Sequence, residues 1–312
     1  MPAPGDDAEE AGRLMRSLLF VPGDSEKKLE KAFASDADVL IVDLEDSVAL
    51  ANKPAARRIA ADFIAARAPE ARAAVYVRVN DLTTGLTDED LAALLPARPT
   101  GIMLPKSTSG QDVHLLSAKL RVHEAEAGLA DGTIRILPII TETAAAVFAT
   151  SSYAGASGRL AGLTWGAEDL SAAIGARTAR DHAGRYTDVF RLARALTLLA
   201  SAAADVPAVD TVFPDFRNMA GFQTECAEAE RDGFTAKMAI HPDQVPVINA
   251  AFTPSREAIA RSAAIVSAFE APGHPGVVAI EGKMVDRPHL RLAERLLARA
   301  KAAGVYSSHG PE

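Results

Sequence analysis

The sequence predicts an α/β chain closed into a TIM-type (β/α)8 barrel, followed by a C-terminal extension of helices and a hairpin. Three observations predict it. Eight short runs rich in β-branched and apolar residues recur along the first four-fifths of the 312 residues. Helical patterns fill most gaps between them, and strands that alternate with helices pair in parallel. Polar and charged residues gather where the runs end, the face on which such barrels carry their chemistry. An open doubly wound sheet is the alternative. It wants a glycine-rich phosphate loop after an early strand, and "VPGDSEKK" is a poor match to one.

The runs come in order. "SLLFVPG" ends at Gly23, "DVLIVDLED" at Asp46, "AVYVRVN" at Asn80 and "GIMLPKS" at Ser107. "IRILPIITET", "LAGLTWGAED", "AVDTVFPD" and "AKMAIHP" follow. Helices are expected over "SEKKLEKAFAS", "KPAARRIAADFIAARA", "TDEDLAALL", "DVHLLSAKLRVHEAEAG" and "DVFRLARALTLLASAAA". Thr87 is a plausible N-cap of the third, with Asp90 at the capping-box position. Beyond Thr253, "PSREAIARSAAIVSAFEA" reads as a helix and "APGHPG" as a breaker-rich linker. "VVAIEGKMVD" reads as a short hairpin about Glu281-Gly282. "RPHLRLAERLLARAKAAG" reads as a last helix that starts near Pro288 and stops at Gly304. The expected organisation is a disordered tail over 1–13, a barrel over 14–253, an extension or lid over 254–304 and a flexible tail over 305–312.

Composition narrows the partners. The net charge is −8, with no sustained basic patch interleaved with aromatics, so nucleic acid is excluded. The single cysteine, Cys226, excludes an internal disulfide and a cysteine-rich zinc site, and it fits a reducing compartment. "MPAPGDDAEEAG" lacks the positive region and apolar core of a signal peptide, and no apolar run is long enough to span a bilayer. A cytoplasmic protein with no membrane partner is expected.

The polar residues at the run ends are Asp43, Glu45, Asp46, Arg78, Asn80, Lys106, Glu142, Glu168, Asp169, Asp215 and His241. If these runs are barrel strands, the side chains converge on one mouth. Glu142 ends a dense apolar run, and a buried carboxylate needs a cation, a hydrogen-bond network or water. Glu142 and Asp169 are one helix–strand unit apart, so both can reach one hard cation. Mg2+ takes one or two protein carboxylates and leaves the rest to water and substrate. Arg78 offers a fixed fork for a carboxylate or a developing enolate.

Each residue also has a plainer reading. Glu142 and Asp169 can each cap a helix. Arg78 can pair with the acids of the second run. Lys53, Arg57 and Arg58 can form a solvated helix face. Lys106 can pair with an acid, His241 can be a turn residue, and Asp286 an ordinary N-cap.

The ordered set "RSLLFVPG", "DLEDSV…K..AR", "VRVN", "LPK", "PIITET", "GAEDL", "IHPDQV" and "GKMVDRPH" resembles the HpcH/HpaI aldolase/citrate lyase family. The resemblance is closest to its citrate lyase β-subunit-like and malyl-CoA lyase branch and runs from Arg16 to about Leu297. It implies a Mg2+-dependent barrel, trimeric or hexameric, that makes or breaks carbon–carbon bonds between 2-oxo acids and acyl-CoA thioesters. It implies Glu142 and Asp169 as the metal ligands and Arg78 as the residue holding the oxo acid or enolate. Arg16 and Lys106 would lie near substrate or CoA phosphates, and Glu45 and Asp46 would support the mouth. Asp286 would be the general acid/base that closes over a neighbouring subunit's site. The family's hydroxy-acid aldolases carry a histidine base in the second-strand region; "DLEDSV" has none. A citryl-cleaving β subunit, a thioesterase or synthase, and a non-catalytic CoA-binding paralogue stand as alternatives.

Overall fold

In the computed structural model, residues 14–67, 70–271 and 276–307 are described. The tail expected over 1–13, part of the breaker-rich linker and residues 308–312 lie outside the described residues. Eight strands form one parallel sheet in the order β5-β4-β3-β2-β1-β8-β7-β6. They are β1 (Ser17–Pro22), β2 (Val39–Asp43), β3 (Ala74–Arg78), β4 (Gly101–Leu104), β5 (Arg135–Pro138), β6 (Leu163–Thr164), β7 (Ala208–Asp210) and β8 (Ala236–Ala239). Between the outermost strands, single parallel bridges join Ile136 to Leu160 and Ile139 to Thr164. The Ile140 N–H donates to the Thr164 carbonyl at 2.9 Å. These links turn the sheet into a nearly closed barrel, as the alternating pattern predicts.

Alternate residues of the strands face inward. Leu18, Val39, Ile41, Ala74, Tyr76, Met103, Leu137, Ile139, Val209, Ala236 and Met238 meet as one buried cluster inside the ring. The register then places the polar ends. Pro22 lies beside Asp43, and Asp43 beside Arg78. Asp43 continues the inward row of Val39 and Ile41, and Arg78 that of Ala74 and Tyr76. A period of two therefore delivers both side chains to the mouth.

The helices following β1 to β4 are α1 (Glu26–Phe33), α2 (Lys53–Arg67), α3 (Thr87–Leu94) and α4 (Gly110–Glu126). Then come α5 (Ala144–Phe148), α6 (Ala167–Ile174), α7 (Asp188–Ala204), α8 (Met219–Asp232) and α9 (Gln244–Phe252). The sequence patterns do not anticipate α5, α6, α8 or α9. Thr87 is not the cap of α3, which is preceded by Leu86 with no side-chain cap. The Thr87 hydroxyl donates instead to the carbonyls of Asn80 and Asp81, each at 3.0 Å. Asp90 is fully buried and accepts from Arg57 at 2.6 Å and from the Asn80 N–H and side-chain amide at 2.8 and 2.7 Å. Asn80 and Arg57 thus belong to a structural network rather than to the mouth or to solvent.

Two compact units divide the chain at Asn249. The second has its own elements: α10 (Arg256–Glu270), the antiparallel pair β9 (Val277–Ile280) and β10 (Lys283–Asp286), and α11 (Arg287–Ala302). Its core contains Ile265, Phe269, Val285 and Ala293. At the hairpin tip Glu281 (φ 51°) and Gly282 (φ 74°) both adopt the left-handed conformation that a two-residue type I′ turn requires. Among the described residues no helix is long and apolar enough to cross a membrane.

Candidate active site at the barrel mouth

Asp43 and Arg78 anchor the site. The guanidinium grips Asp43 bidentately, Nε to Oδ1 and Nη2 to Oδ2, both at 2.7 Å. Burial pushes the Asp43 carboxyl up, but Arg78, the Ser47 side chain and the Glu45 N–H hold it below its ordinary value. Arg78 is therefore partly the structural partner of the plainer reading. Its remaining arm, Nη1, lies 3.0 Å from Glu45 Oε2 and 3.8 Å from Asp46 Oδ2. Glu45 Oε2 is in charge contact but makes no hydrogen bond of acceptable geometry, and burial raises the Glu45 carboxyl overall.

The Glu45 loop is held from below by Lys53, whose ammonium donates to the carbonyls of Leu44 (2.8 Å) and Glu45 (3.0 Å). Lys53 and Arg57 are buried, so the expected solvated face is corrected; only Arg58 of the three is exposed. The "K..AR" spacing after "DLEDSV" is the signal that marks both.

Lys106 joins the two sides of the mouth. Its ammonium donates to Glu45 and lies 3.5 Å from Asp46 and 3.6 Å from Asp169. Its backbone adopts φ 51°, a left-handed conformation that costs a residue with a Cβ about 1–2 kcal/mol. That turn aims its N–H at Glu142 Oε2. Strain of this kind persists where the surroundings over-determine it, often at functional sites.

Glu142 is 2% exposed. Burial first, then the charge of Asp169, pushes its carboxyl up to about 8, against the pull of the Lys106 N–H. It is not a helix cap, because Thr143 accepts the Ala146 N–H at 3.1 Å and caps α5. Asp169 lies in the first turn of α6, not at a strand end, because β6 stops at Thr164. Gly166 makes room for Glu142: a Cβ there would fall 2.7 Å from its Cγ and 3.2 Å from its Oε1. Gly166→Ala is expected to displace this carboxylate and weaken divalent-cation affinity about tenfold or more without deleting a ligand. Unchanged affinity by titration calorimetry would remove Glu142 from the site.

The structure corrects one site assignment. Arg16 precedes β1, so it sits at the N-terminal end of the barrel, opposite the mouth. Its Nε and Nη2 engage Asp38 at 2.8 and 2.9 Å, and its N–H donates to the same carboxylate. The mouth gathers Asp43, Glu45, Asp46, Arg78, Lys106, Glu142 and Asp169. His241 acts as a turn residue: its Nδ1 accepts the Asp243 N–H at 3.2 Å, and its ring stacks on Phe216 at 5.0 Å. Asp286 belongs to the second unit, where it precedes α11 with its carboxylate exposed. Its Oδ1 lies 2.6 Å from His289 Nδ1, and that contact holds its carboxyl below the usual range.

Five carboxylates face two cations at the mouth, an excess of negative charge. Among the described residues no three His, Cys, Asp or Glu side chains form a metal cage. Two hard oxygen donors, Glu142 and Asp169, match what magnesium takes from a protein when substrate and water supply the rest. The buried, destabilised Glu142 carboxylate and the space Gly166 leaves beside it fit such an ion.

Fold and site together define a barrel protein with an acidic, cation-ready mouth. The chain belongs to the HpcH/HpaI aldolase/citrate lyase family, whose model matches residues 16–242. It is 36% identical over 285 residues to a citrate lyase subunit beta-like protein of Mycobacterium tuberculosis, covering 91% of this chain and 95% of that one. It is 34% identical over 295 residues to a (3S)-malyl-CoA thioesterase of Cereibacter sphaeroides, covering 93% and 96%. Among solved structures, it matches CitE from Mycobacterium tuberculosis in complex with magnesium, acetoacetate and coenzyme A. That match has a TM-score of 0.74 and 36% identity and covers 93% of this chain and 99% of that one.

Proposed function

We propose that this chain is a Mg2+-dependent carbon–carbon lyase. It cleaves or forms a 3-hydroxyacyl-CoA thioester such as malyl-, β-methylmalyl- or citramalyl-CoA, giving an acyl-CoA and a 2-oxo acid. The carrying observation is the buried Glu142 beside Asp169 in a mouth where carboxylates outnumber cations. The magnesium, acetoacetate and coenzyme A bound by the structural relative support the same reading.

Glu142 and Asp169 hold the ion. Bound Mg2+ supplies charge that favours ionisation of the substrate hydroxyl and offsets the developing oxo acid. The Nη1 arm of Arg78, fixed by the grip of Asp43 on the rest of the fork, stabilises the thioester enolate as charge develops. Lys106 leaves its carboxylate partners to meet substrate anionic groups, with Glu45 and Asp46 bracing the mouth. Asp286, a carboxylate kept ionised by His289, takes the hydroxyl proton. The carbon–carbon bond then breaks, its electron pair passes to the thioester enolate, and the proton is delivered to the enolate carbon.

The test is a magnesium-dependent assay on malyl-, β-methylmalyl-, citramalyl- and citryl-CoA. Oxo acid released with acyl-CoA supports the lyase and names its substrate. Free CoA without oxo acid supports the thioesterase reading favoured by the Cereibacter relative. No turnover on any ester moves the assignment to a carrier-protein thioester of a citrate lyase complex, or to a CoA-binding paralogue.

The protein works as a homotrimer or hexamer in which Asp286 serves a neighbour's mouth. Glu142→Ala and Asp286→Asn homo-oligomers, each inactive, are expected to regain a substantial share of activity when dissociated and reassembled together. Light scattering that gives a monomer, or a mixture that stays inactive, would place Asp286 in its own subunit or outside the reaction.

A further inference from the structure

The segment that follows Glu142 doubles back on the loop that carries Lys106. After α5 the chain makes a 3-10 turn, Thr150–Tyr153, and that turn packs against α4. Two contacts tie it to the start of α4 and the loop before it. The Ser152 hydroxyl accepts the Gly110 N–H at 2.9 Å. A Cβ on Gly110 would fall 2.1 Å from the Ser152 carbonyl oxygen, so glycine is what lets the two backbones approach so closely. The second contact is a hydroxyl pair, with Tyr153 Oη 2.8 Å from Ser107 Oγ.

Both side chains are sealed, Tyr153 at 0% and Ser107 at 1% exposure. Ser107 Oγ also reaches the Ser109 carbonyl, at 3.4 Å. Burial, and after it the charges of Asp112 and Glu142, hold the Tyr153 phenol above its ordinary value against the pull of Ser107, so it keeps its proton. Phenylalanine would fill the same space. Two hydroxyls that leave water to bond each other add little net stability. Stability alone gives little reason for the pair.

What the pair does is geometric. Lys106, the residue before Ser107, is held at φ 51°. A left-handed residue with a Cβ keeps that conformation where its surroundings over-determine it. Upstream, the Ile139 N–H fixes the Leu104 carbonyl at 2.9 Å. Downstream, the Thr108 N–H and hydroxyl both donate to Asp112 at 2.7 Å. Between these fixed points Ser107 is gripped by Tyr153, 46 positions further along the chain.

We propose that Tyr153 is a positioning residue of the mouth. Through Ser107 it holds the turn that aims the Lys106 N–H at Glu142 and keeps the Lys106 ammonium among Glu45, Asp46 and Asp169. Its bearing on the substrate rests on the lyase reading; its hold on the turn does not.

The experiment compares Tyr153→Phe, Ser107→Ala and the double variant with the wild-type protein. Hydrogen exchange reads the Lys106 amide in metal-free protein, and titration calorimetry reads Mg2+ affinity. Each variant is expected to speed exchange at Lys106 about fivefold or more, as loss of one hydrogen bond allows. Each should weaken Mg2+ about tenfold, the low end for groups that support a ligand. Either single variant should lower the melting temperature, because it leaves a buried hydroxyl without its partner. The double variant removes both hydroxyls, so it should melt close to wild type and still exchange fast. A merely structural pair would recover both properties together. Where turnover is seen, KM for the thioester should rise more than kcat falls. The proposal is overturned if Lys106 exchange is unchanged in Tyr153→Phe, or if the double variant restores exchange along with the melting temperature. It is also overturned if Mg2+ binding, present in wild type, ignores all three variants. Wild-type protein that binds no Mg2+ would sink the metal assignment alone, and a silent ester panel the lyase reading alone. In both cases the Lys106 amide still decides the role of Tyr153.

Discussion

Replacing Glu142 by glutamine is expected to leave the barrel folded while weakening Mg2+ binding more than about 100-fold, beyond the usual cost of disturbing a supporting residue. Turnover should fall at least as far. Glutamine keeps an oxygen to accept the Lys106 N–H and removes a charge from a site that is 2% exposed. The wild-type carboxyl sits at about 8 without metal, against an ordinary value of 4.5. A metal ligand must be ionised, so binding displaces a proton below that point. Affinity should climb about tenfold per pH unit up to about 8 and level off above it. The sign for stability is opposite. A carboxyl raised in the folded state stabilises the metal-free protein fully below its unfolded value. That contribution is lost as pH rises from about 4.5 through about 8. The metal-free melting temperature should therefore decline across this window, with the Glu142-dependent part absent in the glutamine variant. Calorimetry from pH 6.5 to 9 decides: a flat affinity profile, or one unaltered by the substitution, sinks the assignment.

The second large effect is at Arg78. Lysine keeps the charge but cannot hold Asp43 with two parallel bonds and still extend a third donor toward Glu45. Arg78→Lys is expected to lower kcat by about 100- to 1000-fold, the range for removing one donor to a developing oxyanion. Arg78→Met should be worse for the fold, since it leaves Asp43, 2% exposed, as an unpaired buried charge. The loss should be about 3–5 kcal/mol by chemical denaturation. Full kcat in Arg78→Lys would reduce this arginine to a brace for Asp43, and unchanged stability in Arg78→Met would show that the pair is not structural.

The strands and the mouth were legible in the sequence because β-branched runs and a period of two are local signals. The inward rows ending in Asp43 and Arg78 follow from that period alone. The misplaced residue was legible too. Arg16 comes before its strand, and chain direction alone assigns it to the end away from the mouth. What stayed hidden depended on distant partners. The burial of Arg57 arises from Asp90, 33 positions along the chain, and that of Lys53 from two loop carbonyls. Neither contact leaves a periodic trace. Helix α8 was obscured by its charged composition, and the brevity of β6 moved Asp169 from a strand end to a helix.

The barrel's closure has a consequence of its own. Seven neighbouring strand pairs are zipped by regular ladders, while β5 and β6 meet through isolated bridges. Glu142 follows β5 and Asp169 follows β6, one on each side of that weak join. A cation held by both would rivet the cylinder where its own backbone stitching is thinnest. Amide protons of Ile136, Ile140 and Ala161, which donate across this join, should then exchange faster than those of β1 to β3 when the ion is withdrawn, and slow selectively on its return. In that case the ion is hoop as well as reagent, and starvation for it would open the barrel along this line first.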